Sequence, residues 1–265
     1  MNAPLDATVA PYVLIRTEDG VCRLTLNRGE RYNPLSREMI AALQSEVAGI
    51  GADPTIRCVV LAAEGKGFCA GHDLKELRAH SDLEWQQRLF GACNDMMLLL
   101  TRIPQPVIAR VHGLATAAGC QLVSMCDLAV AADTARFALP GVNVGVFCTT
   151  PAVGVARNIA RKHVMELLLT GETIDAATAL AWGLVNRVVP AAELDAAIAH
   201  FTGIIGGRSA RVIEGGKIAF YRQVDLGLAP AYDFAGGRMA SSLLEGDAAE
   251  GIDAFVEKRA PKWPE

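Results

Sequence analysis

The sequence has no excess of positive charge. Its 265 residues carry a formal net charge of −4, and acidic and basic residues are interspersed without a basic stripe. Proteins that bind nucleic acid present clustered Lys and Arg side chains on one face. We therefore expect no nucleic-acid partner.

Segments that would direct the chain to a membrane or out of the cell are also missing. Residues 1–10 have neither the basic region nor the apolar region of a signal peptide. A membrane-spanning helix needs roughly 18 consecutive apolar residues, and His112, Gln121 and Asp127 interrupt the longest candidate. We expect a cytoplasmic protein with no membrane partner.

The seven cysteines lack the spacing of a metal site, because the sequence has no Cys-x-x-Cys pair and no Cys/His ligand pattern. We therefore expect no metal. Several of the cysteines lie inside apolar runs, where a free thiol behaves as a small apolar side chain. This usage indicates a reducing compartment. The glycine-rich motifs of dinucleotide-binding proteins and P-loop proteins, and the Gly-x-Ser-x-Gly motif of serine hydrolases, are absent too.

Short apolar runs of the β type alternate with helical stripes as far as residue 150. A hairpin is predicted around Asp19-Gly20, and Asn33-Pro34 is predicted to open a helix with apolar residues at three- and four-residue spacing. Strands are predicted over residues 58–63, 106–111, 128–132, 137–139 and 185–189, and helices over residues 81–103, 164–169, 175–182, 191–205, 209–221, 232–244 and 251–258. Strands alternating with helices are typical of an α/β architecture with right-handed crossovers.

Two turns rich in small residues stand out, at residues 65–77 and 115–121. Each follows a predicted strand and leads into a helix, so backbone N–H groups at the turn point into open space. Such groups can bind a phosphate, or they can stabilise the negative oxygen that develops on a carbonyl during a reaction. The alternative is an ordinary strand-to-helix turn.

Six segments taken together resemble the crotonase family, the enoyl-CoA hydratases and isomerases. They are residues 67–75, 112–122, 126–131, 137–145, 169–171 with 181–185, and 254–259. Any one segment is weak evidence for the family, but six segments in the order found in the family are specific evidence. The resemblance covers nearly the whole chain beyond residue 11.

The resemblance implies an α/β fold, a crotonase-like spiral of ββα units with a C-terminal helical region. Residues 1–195 would form the core that binds acyl-CoA, and residues 196–265 would build a homotrimer or a hexamer made of two trimers. The substrate would be an acyl-CoA thioester of fatty acid metabolism, with coenzyme A as part of the substrate and no separate cofactor. The backbone N–H groups of His72 and Ala118 would hold the thioester oxygen.

The resemblance also implies contacts to coenzyme A. The backbone near Ala70 and His72 would meet the adenine, and the phosphates would lie near Lys66, Lys75 or Lys258 of a neighbouring subunit. Three further polar residues are expected near the pocket: Asn143, Cys148 and Thr149.

The sequence departs from the hydratase pattern at two positions. Hydratases of this family have Glu at the positions of Gln121 and Gly141, where carboxylates help to deliver water and move the α-proton. Gln121 cannot exchange protons, and Gly141 has no side chain. Members that use an Asp place it near Thr149, and decarboxylases with a similar Gly-His-Asp run have an aromatic hydroxyl near Cys148; neither group is present.

The sequence therefore predicts a lyase or isomerase of CoA thioesters that works through an enolate, with hydration itself in question. Three alternatives remain. They are an acyl-CoA-binding protein without catalysis, a decarboxylase-like member of the family, and a structural protein that uses only the trimer scaffold.

Overall fold

A computed structural model describes residues 10–264 of the chain. The expectation that the N-terminus lacks a signal peptide lies, for residues 1–9, outside the described residues. Within the described range the chain forms ten strands and eleven α-helices. The strands are β1 (Val13–Glu18), β2 (Val21–Leu26), β3 (Cys58–Ala63), β4 (Gly67–Cys69), β5 (Val107–Val111), β6 (Leu114–Thr116), β7 (Leu128–Ala132), β8 (Arg136–Ala138), β9 (Thr173–Asp175) and β10 (Arg187–Val189). The helices are α1 (Arg37–Ala52), α2 (Leu74–Ala79), α3 (Leu83–Arg102), α4 (Ala118–Ser124), α5 (Thr149–Val155), α6 (Arg161–Thr170), α7 (Ala176–Trp182), α8 (Leu194–Gly206), α9 (Ala210–Gln223), α10 (Leu228–Ser242) and α11 (Gly246–Val256).

Two sheets form the centre of the fold. The larger sheet has the strand order β1-β2-β3-β5-β7-β10, in which β1 and β2 are antiparallel and every later pair is parallel. The smaller sheet has the order β4-β6-β8-β9, with β9 antiparallel to its neighbour. The predicted hairpin is confirmed, because Asp19 and Gly20 join β1 to β2 with φ values of 50° and 74°.

Successive units of the chain alternate between the two sheets. The strands β3, β5 and β7 lie in the larger sheet, and each is followed by a short strand of the smaller sheet before the chain enters a helix. Parallel strands require crossover connections of this kind. The predicted α/β spiral of ββα units is therefore confirmed, and it brings the turn after β4 beside the turn after β6.

Both faces of the central strands β3, β5 and β7 of the larger sheet are buried, as is usual for parallel strands. Alternate residues of a strand point to opposite faces. Val59 and Leu61 accordingly belong to the main apolar cluster with the stripe predicted on α1, which is Met39, Ile40, Leu43, Val47 and Ile50. Cys58 and Val60 pack instead with α8. The expected boundary between residues 195 and 196 lies inside α8, and the division into a binding core and a trimerisation region stays a prediction.

A buried polar network joins α9 to the core. The Lys217 ammonium donates to the carbonyl oxygens of Leu100 and Gln105 and to Asp127 Oδ2, each at 2.8 Å. The Tyr221 hydroxyl, one turn later, donates to Asp127 Oδ1 at 2.9 Å. All three N–H donors of the ammonium are therefore matched to acceptors, and α9 is fixed to the end of α3 and to the loops before β5 and β7.

One local prediction is wrong. The first helix begins at Arg37 rather than at Asn33-Pro34, because Ser36 Oγ accepts a hydrogen bond from the Met39 N–H and caps the helix. Asn33 is instead fully buried in a left-handed conformation, with φ of 52°. Its amide donates to the carbonyls of Glu64, Gly67 and Phe68 and so ties the loop before α1 to the first small-residue turn.

Several short elements had no predicted counterpart. The strands β4, β6 and β9 have three residues each, too few to show a periodicity. The helix α5 was not predicted, and α10 and α11 begin earlier than the predicted residues 232 and 251. Pro230 lies in the first turn of α10, where its missing N–H breaks no helical hydrogen bond. Among the described residues, no helix combines the length and the apolar character that crossing a membrane requires.

Candidate active site

The two small-residue turns lie against each other. Strands β4 and β6 are parallel neighbours, and the Thr116 hydroxyl donates to the Ala70 carbonyl at 3.1 Å. A Cβ atom at Gly71, whose φ is 86°, would lie 3.1 Å from the Ala118 nitrogen. A Cβ atom at Gly119 would lie 2.1 Å from the Cys69 carbonyl oxygen. Glycine at both positions thus allows a backbone approach that any other residue would prevent.

Backbone strain marks the start of the second helix. Ala117 precedes α4 with φ of 50° and ψ of −120°, a conformation that costs an L-residue of the order of 1–3 kcal/mol. Its N–H donates to the Ala138 carbonyl at 2.9 Å, and its own carbonyl accepts from the Gln121 N–H at 3.0 Å. These two bonds hold the strained residue in place, and they set the direction of the next N–H, that of Ala118.

The backbone N–H groups of His72 and Ala118 are both unpaired within residues 10–264, where neither donates a hydrogen bond. Ala118 is the first residue of α4, so its N–H has no partner inside the helix. His72 follows Gly71, where an added Cβ atom would lie 3.1 Å from the Ala118 nitrogen. The structure therefore places on adjacent turns the two N–H groups that the family resemblance implies.

The His72 side chain is half-buried next to these donors. Its Nδ1 lies 3.2 Å from the Leu35 carbonyl oxygen, and the Phe90 ring packs edge-on at a centroid distance of 4.9 Å. A carbonyl oxygen only accepts hydrogen bonds, so Nδ1 carries the proton and Nε2 keeps its lone pair. Burial lowers the pKa of the imidazole below its ordinary value, and the hydrogen bond to Leu35 opposes this shift only in part. The ring is therefore neutral near pH 7, and Nε2 is a buried acceptor that has no partner among the described residues.

Gln121 is a second buried polar side chain at the site. It lies one turn after Ala118 on α4 and is 4% exposed. Its Oε1 has no hydrogen-bond partner in the described part of the chain. An amide cannot take up or release a proton near neutral pH, so this position can bind and orient a ligand but cannot act as a general base.

Gly141 leaves no room for a side chain. It lies in a 3-10 segment, Pro140–Val144, that folds back on itself through a hydrogen bond from the Val146 N–H to the Gly141 carbonyl. A Cβ atom at Gly141 would lie 2.7 Å from the Val146 carbonyl oxygen and 2.9 Å from Cys148 Sγ. A carboxylate could enter here only if the backbone moved.

The other polar residues expected near the pocket have local partners. Asn143 donates to the Gly171 carbonyl at 3.4 Å and so faces the end of α6 rather than the two turns. Cys148 is 7% exposed. Burial raises the pKa of its thiol, and a hydrogen bond from the Gly141 N–H opposes the rise only in part. Cys148 is therefore not a thiolate nucleophile at neutral pH. Thr149 is the first residue of α5, directly after it.

The lysines expected to meet coenzyme A lie on the protein surface. Lys66, Lys75 and Lys258 are exposed, and none takes part in an ion pair within residues 10–264. Ala70 is half-buried, and its N–H already donates to the Tyr32 carbonyl at 2.9 Å. Lys66 and Lys75 flank the first turn, whereas Lys258 follows α11.

Sequence reasoning missed two neighbours of the first turn. Phe90 contacts His72 from α3, and Arg31 pairs with Asp73, the N-cap of α2, at 2.6 Å. Both contacts join residues far apart in the chain, and no local pattern could have indicated them. Across residues 10–264, no group of three or more His, Cys, Asp or Glu side chains is placed to hold a metal ion.

The comparisons with known proteins agree with this geometry. The enoyl-CoA hydratase/isomerase family profile matches residues 16–265. The chain is 50% identical to a Mycobacterium smegmatis enoyl-CoA hydratase of known structure, with a TM-score of 0.94 and coverage of 96% of this chain and 99% of the other. For human enoyl coenzyme A hydratase domain-containing protein 3 the identity is 42%, the TM-score 0.92 and the coverage 95% and 100%. The resemblance stated from the motifs is confirmed.

One expectation is overturned by the same comparisons. A Xenopus laevis relative, 43% identical over 96% of this chain and 86% of its own length, is named a mitochondrial enoyl-CoA hydratase domain-containing protein 3. The rat and human relatives carry the same name. These names contradict the predicted cytoplasmic location. The prediction was wrong because buried free thiols indicate only a reducing environment and do not distinguish one reducing compartment from another.

Proposed function

This chain belongs to the enoyl-CoA hydratase/isomerase family, and on that premise we propose that it binds an acyl-CoA thioester and stabilises the enolate of that thioester. The backbone N–H groups of His72 and Ala118 would donate to the thioester oxygen. The observation that carries the proposal is the pair of unpaired N–H groups on adjacent turns, one of them fixed by the strained residue Ala117. Coenzyme A enters as part of the substrate, and no separate cofactor is proposed.

The two backbone N–H donors stabilise the negative charge that develops on the thioester oxygen during the reaction. When a proton or another group leaves the carbon next to a thioester carbonyl, negative charge moves onto the carbonyl oxygen. Donors that already point at that oxygen stabilise the charge without reorganising, and removing one such donor typically raises the barrier by about 3–4 kcal/mol. The strain at Ala117 is consistent with a donor held in place before the substrate arrives.

The reaction class follows from what surrounds the donors. We propose that the protein catalyses a lyase or isomerase type of reaction through the enolate. Efficient hydration of a simple enoyl-CoA is not the proposed activity. Gln121 cannot exchange protons, and Gly141 cannot carry a carboxylate without a backbone shift. The half-buried imidazole of His72, which is neutral near pH 7, is a titratable group beside the donors, because the His72 backbone supplies one of them.

A second candidate function is binding of acyl-CoA without turnover. The observation that favours it is the replacement of both carboxylates by groups that transfer no protons. A screen of enoyl, malonyl-type and 3-hydroxyacyl thioesters, followed by mass spectrometry, separates the two functions. A change of mass in any thioester supports an enzyme, and unchanged thioesters that nevertheless bind support a binding protein. Loss of carbon dioxide from a malonyl-type thioester would identify the decarboxylase-like alternative.

The donor assignment is tested with two adjacent variants. Binding should raise the free energy of unfolding by about 2.7 kcal/mol at a ligand concentration about one hundred times Kd. Ala118→Pro removes one donor, at a first helical position where proline is otherwise tolerated. Ala117→Gly keeps both donors and relieves the strained φ. We expect the thermal shift with butyryl-CoA to disappear in Ala118→Pro and to remain in Ala117→Gly. A full shift in a folded Ala118→Pro protein would refute the assignment.

We further propose that the protein assembles as a homotrimer or a pair of trimers through its C-terminal helices. Apolar side chains of α9, α10 and α11 are exposed in the single chain, among them Phe220, Met239, Ile252 and Phe255. They border a groove of about 800 Å³. A monomer rarely leaves so much contiguous apolar surface in water. Light scattering at micromolar concentration tests this, and a monomeric mass would contradict it.

A further inference from the structure

Gln105 carries a buried hydrogen-bond acceptor that lacks a donor, outside the candidate active site. It lies in the loop between α3 and β5 and is 5% exposed. Its Nε2 donates to the carbonyl oxygens of Ile50 and Asp53 at 3.0 Å and 3.1 Å, which fixes the orientation of the amide. The other end of the amide, Oε1, has no hydrogen-bond partner among the described residues. Buried polar atoms are almost always paired, so this exception requires an explanation.

A cavity of about 250 Å³ is lined in part by Gln105. It lies where the end of α1, the segment before β3, the loop before β5, the end of α8 and the start of α9 meet. Six apolar side chains form most of its wall: Pro54, Ile56, Pro104, Pro106, Ile205 and Ile213. The charged side chains that line it are Arg57, Arg211 and Glu214.

The loop that carries Gln105 is held firmly in place. Prolines on either side of Gln105 fix the backbone φ angle at two positions. The Gln105 carbonyl oxygen accepts a hydrogen bond from the Lys217 ammonium at 2.8 Å, which ties the loop to α9. The cavity wall is therefore formed before any ligand arrives, as is usual for sites that bind small molecules.

We propose that this cavity binds a compact, largely apolar molecule that carries one hydroxyl or N–H donor for Gln105 Oε1. The apolar wall favours an apolar body, because burial removes that surface from water. The unpaired acceptor selects a donor, because a ligand without one would shield Oε1 from water and leave it unpaired. Pockets for drug-sized ligands have volumes of roughly 300–1,000 Å³, so this smaller cavity suits a molecule of one or two fused rings.

This site is separate from the proposed acyl-CoA site. Gln105 precedes the amino end of β5, whereas the chain reaches the turn at Ala118 only after the carboxyl end of β5 and the whole of β6. A strand of this length spans about 16 Å. The proposal therefore does not depend on the proposed function, and the two can fail independently.

The test compares indole with benzofuran, which has nearly the same shape but an ether oxygen in place of the N–H donor. Saturation-transfer NMR titrations of the wild-type protein measure both dissociation constants. We expect indole to bind at least about tenfold more tightly, because an unpaired buried acceptor typically costs that factor or more. Gln105→Met keeps the length of the side chain and removes the acceptor, so the preference for indole should fall to within about twofold.

Two variants of α1 locate the binding site. Ala52 is exposed and lines the cavity, whereas Ala48, one turn earlier on the same helix, is exposed and is not part of the lining. Ala52→Phe should weaken indole binding at least about tenfold by filling the cavity, and Ala48→Phe should leave it unchanged. Saturating butyryl-CoA should not displace indole.

Each other result overturns the proposal. If neither compound binds the wild-type protein, the cavity is not a site for such molecules, and a water molecule is the remaining partner for Oε1. Equal affinities would refute the selection of a donor. Displacement by butyryl-CoA, or equal binding by Ala52→Phe and Ala48→Phe, would place indole elsewhere. If Gln105→Met does not fold, the wild-type comparison and the two α1 variants decide the matter.

Discussion

Replacing Lys217 by methionine should destabilise the protein strongly, although Lys217 is far from the proposed site. The variant keeps the apolar stem and removes the ammonium that pairs with Asp127 and with the carbonyls of Leu100 and Gln105. Removing one member of a buried ion pair typically costs about 3–5 kcal/mol, because the other charge is left uncompensated.

The contacts that Asp127 keeps indicate where in that range the stability cost of Lys217→Met falls. Asp127 keeps a hydrogen bond from the Val107 N–H at 2.7 Å and one from the Tyr221 hydroxyl at 2.9 Å. Its side chain is also 17% exposed, compared with 6% for Lys217. Both facts lessen the cost of the orphaned carboxylate, so we expect the free energy of unfolding to fall by about 3 kcal/mol.

Urea unfolding at one fixed protein concentration measures this loss. Lys162, exposed on α6, provides the matched control, and Lys162→Met should change stability by less than about 0.5 kcal/mol. The double variant Lys217→Met/Asp127→Asn should be more stable than Lys217→Met alone, because it removes the uncompensated charge. The reasoning is refuted if Lys217→Met unfolds within about 0.5 kcal/mol of the wild type.

Three further predictions concern the site. Hydration of crotonyl-CoA should be slow. The variant Gln121→Glu should raise the hydration rate, and the control Gln105→Glu should not. A wild-type kcat/KM of about 10⁶ M⁻¹s⁻¹ or more would contradict this prediction. Gly141→Glu should lower Tm more than Gly49→Glu, because a Cβ atom at position 141 would meet backbone at 2.7 Å and one at the exposed position 49 would meet nothing within 4 Å; equal Tm values would show that the 3-10 segment yields freely. Below about pH 6.5 the unfolded chain protonates His72 before the folded protein does, so stability should fall with decreasing pH. That slope should be shallower in His72→Phe, and unchanged slopes would mean that the folded imidazole titrates normally.

The fold could be predicted from the sequence wherever the pattern was long enough to repeat. The α1 stripe has five buried residues at helical spacing, and β3 has six buried residues in a row. The bounds predicted for β3 are correct, whereas α1 was predicted to begin too early, at Asn33-Pro34. In the smaller sheet only β8 was predicted, over residues 137–139 and so one residue late, whereas β4, β6 and β9 have three residues each and show no periodicity. Asn33 was misassigned because its role depends on carbonyls more than thirty residues away.

Part of the candidate site could likewise be predicted from the sequence, and part could not. The two turns were recognisable because small residues and glycine are needed where backbones approach closely, as at Gly71 and Gly119. The orientation of the side chains could not be recognised from the sequence. Nothing local indicated that His72 Nδ1 meets the Leu35 carbonyl, or that Gly141 is closed off by Val146. Those contacts depend on how loops that are distant in the sequence pack together. The periodicity of apolar residues carries no information about that packing.

The proposed donors at His72 and Ala118 are main-chain atoms, and this affects how such a protein can change during descent. Every amino acid except proline supplies an N–H at its own position, so almost any replacement at either residue preserves the donor itself. A proton-transferring carboxylate, in contrast, disappears with a single replacement. Lineages built on this scaffold can therefore lose or exchange their reactive side chains while keeping the ability to hold a thioester. A chain with Gln121 and Gly141 is one product that such a history would be expected to leave.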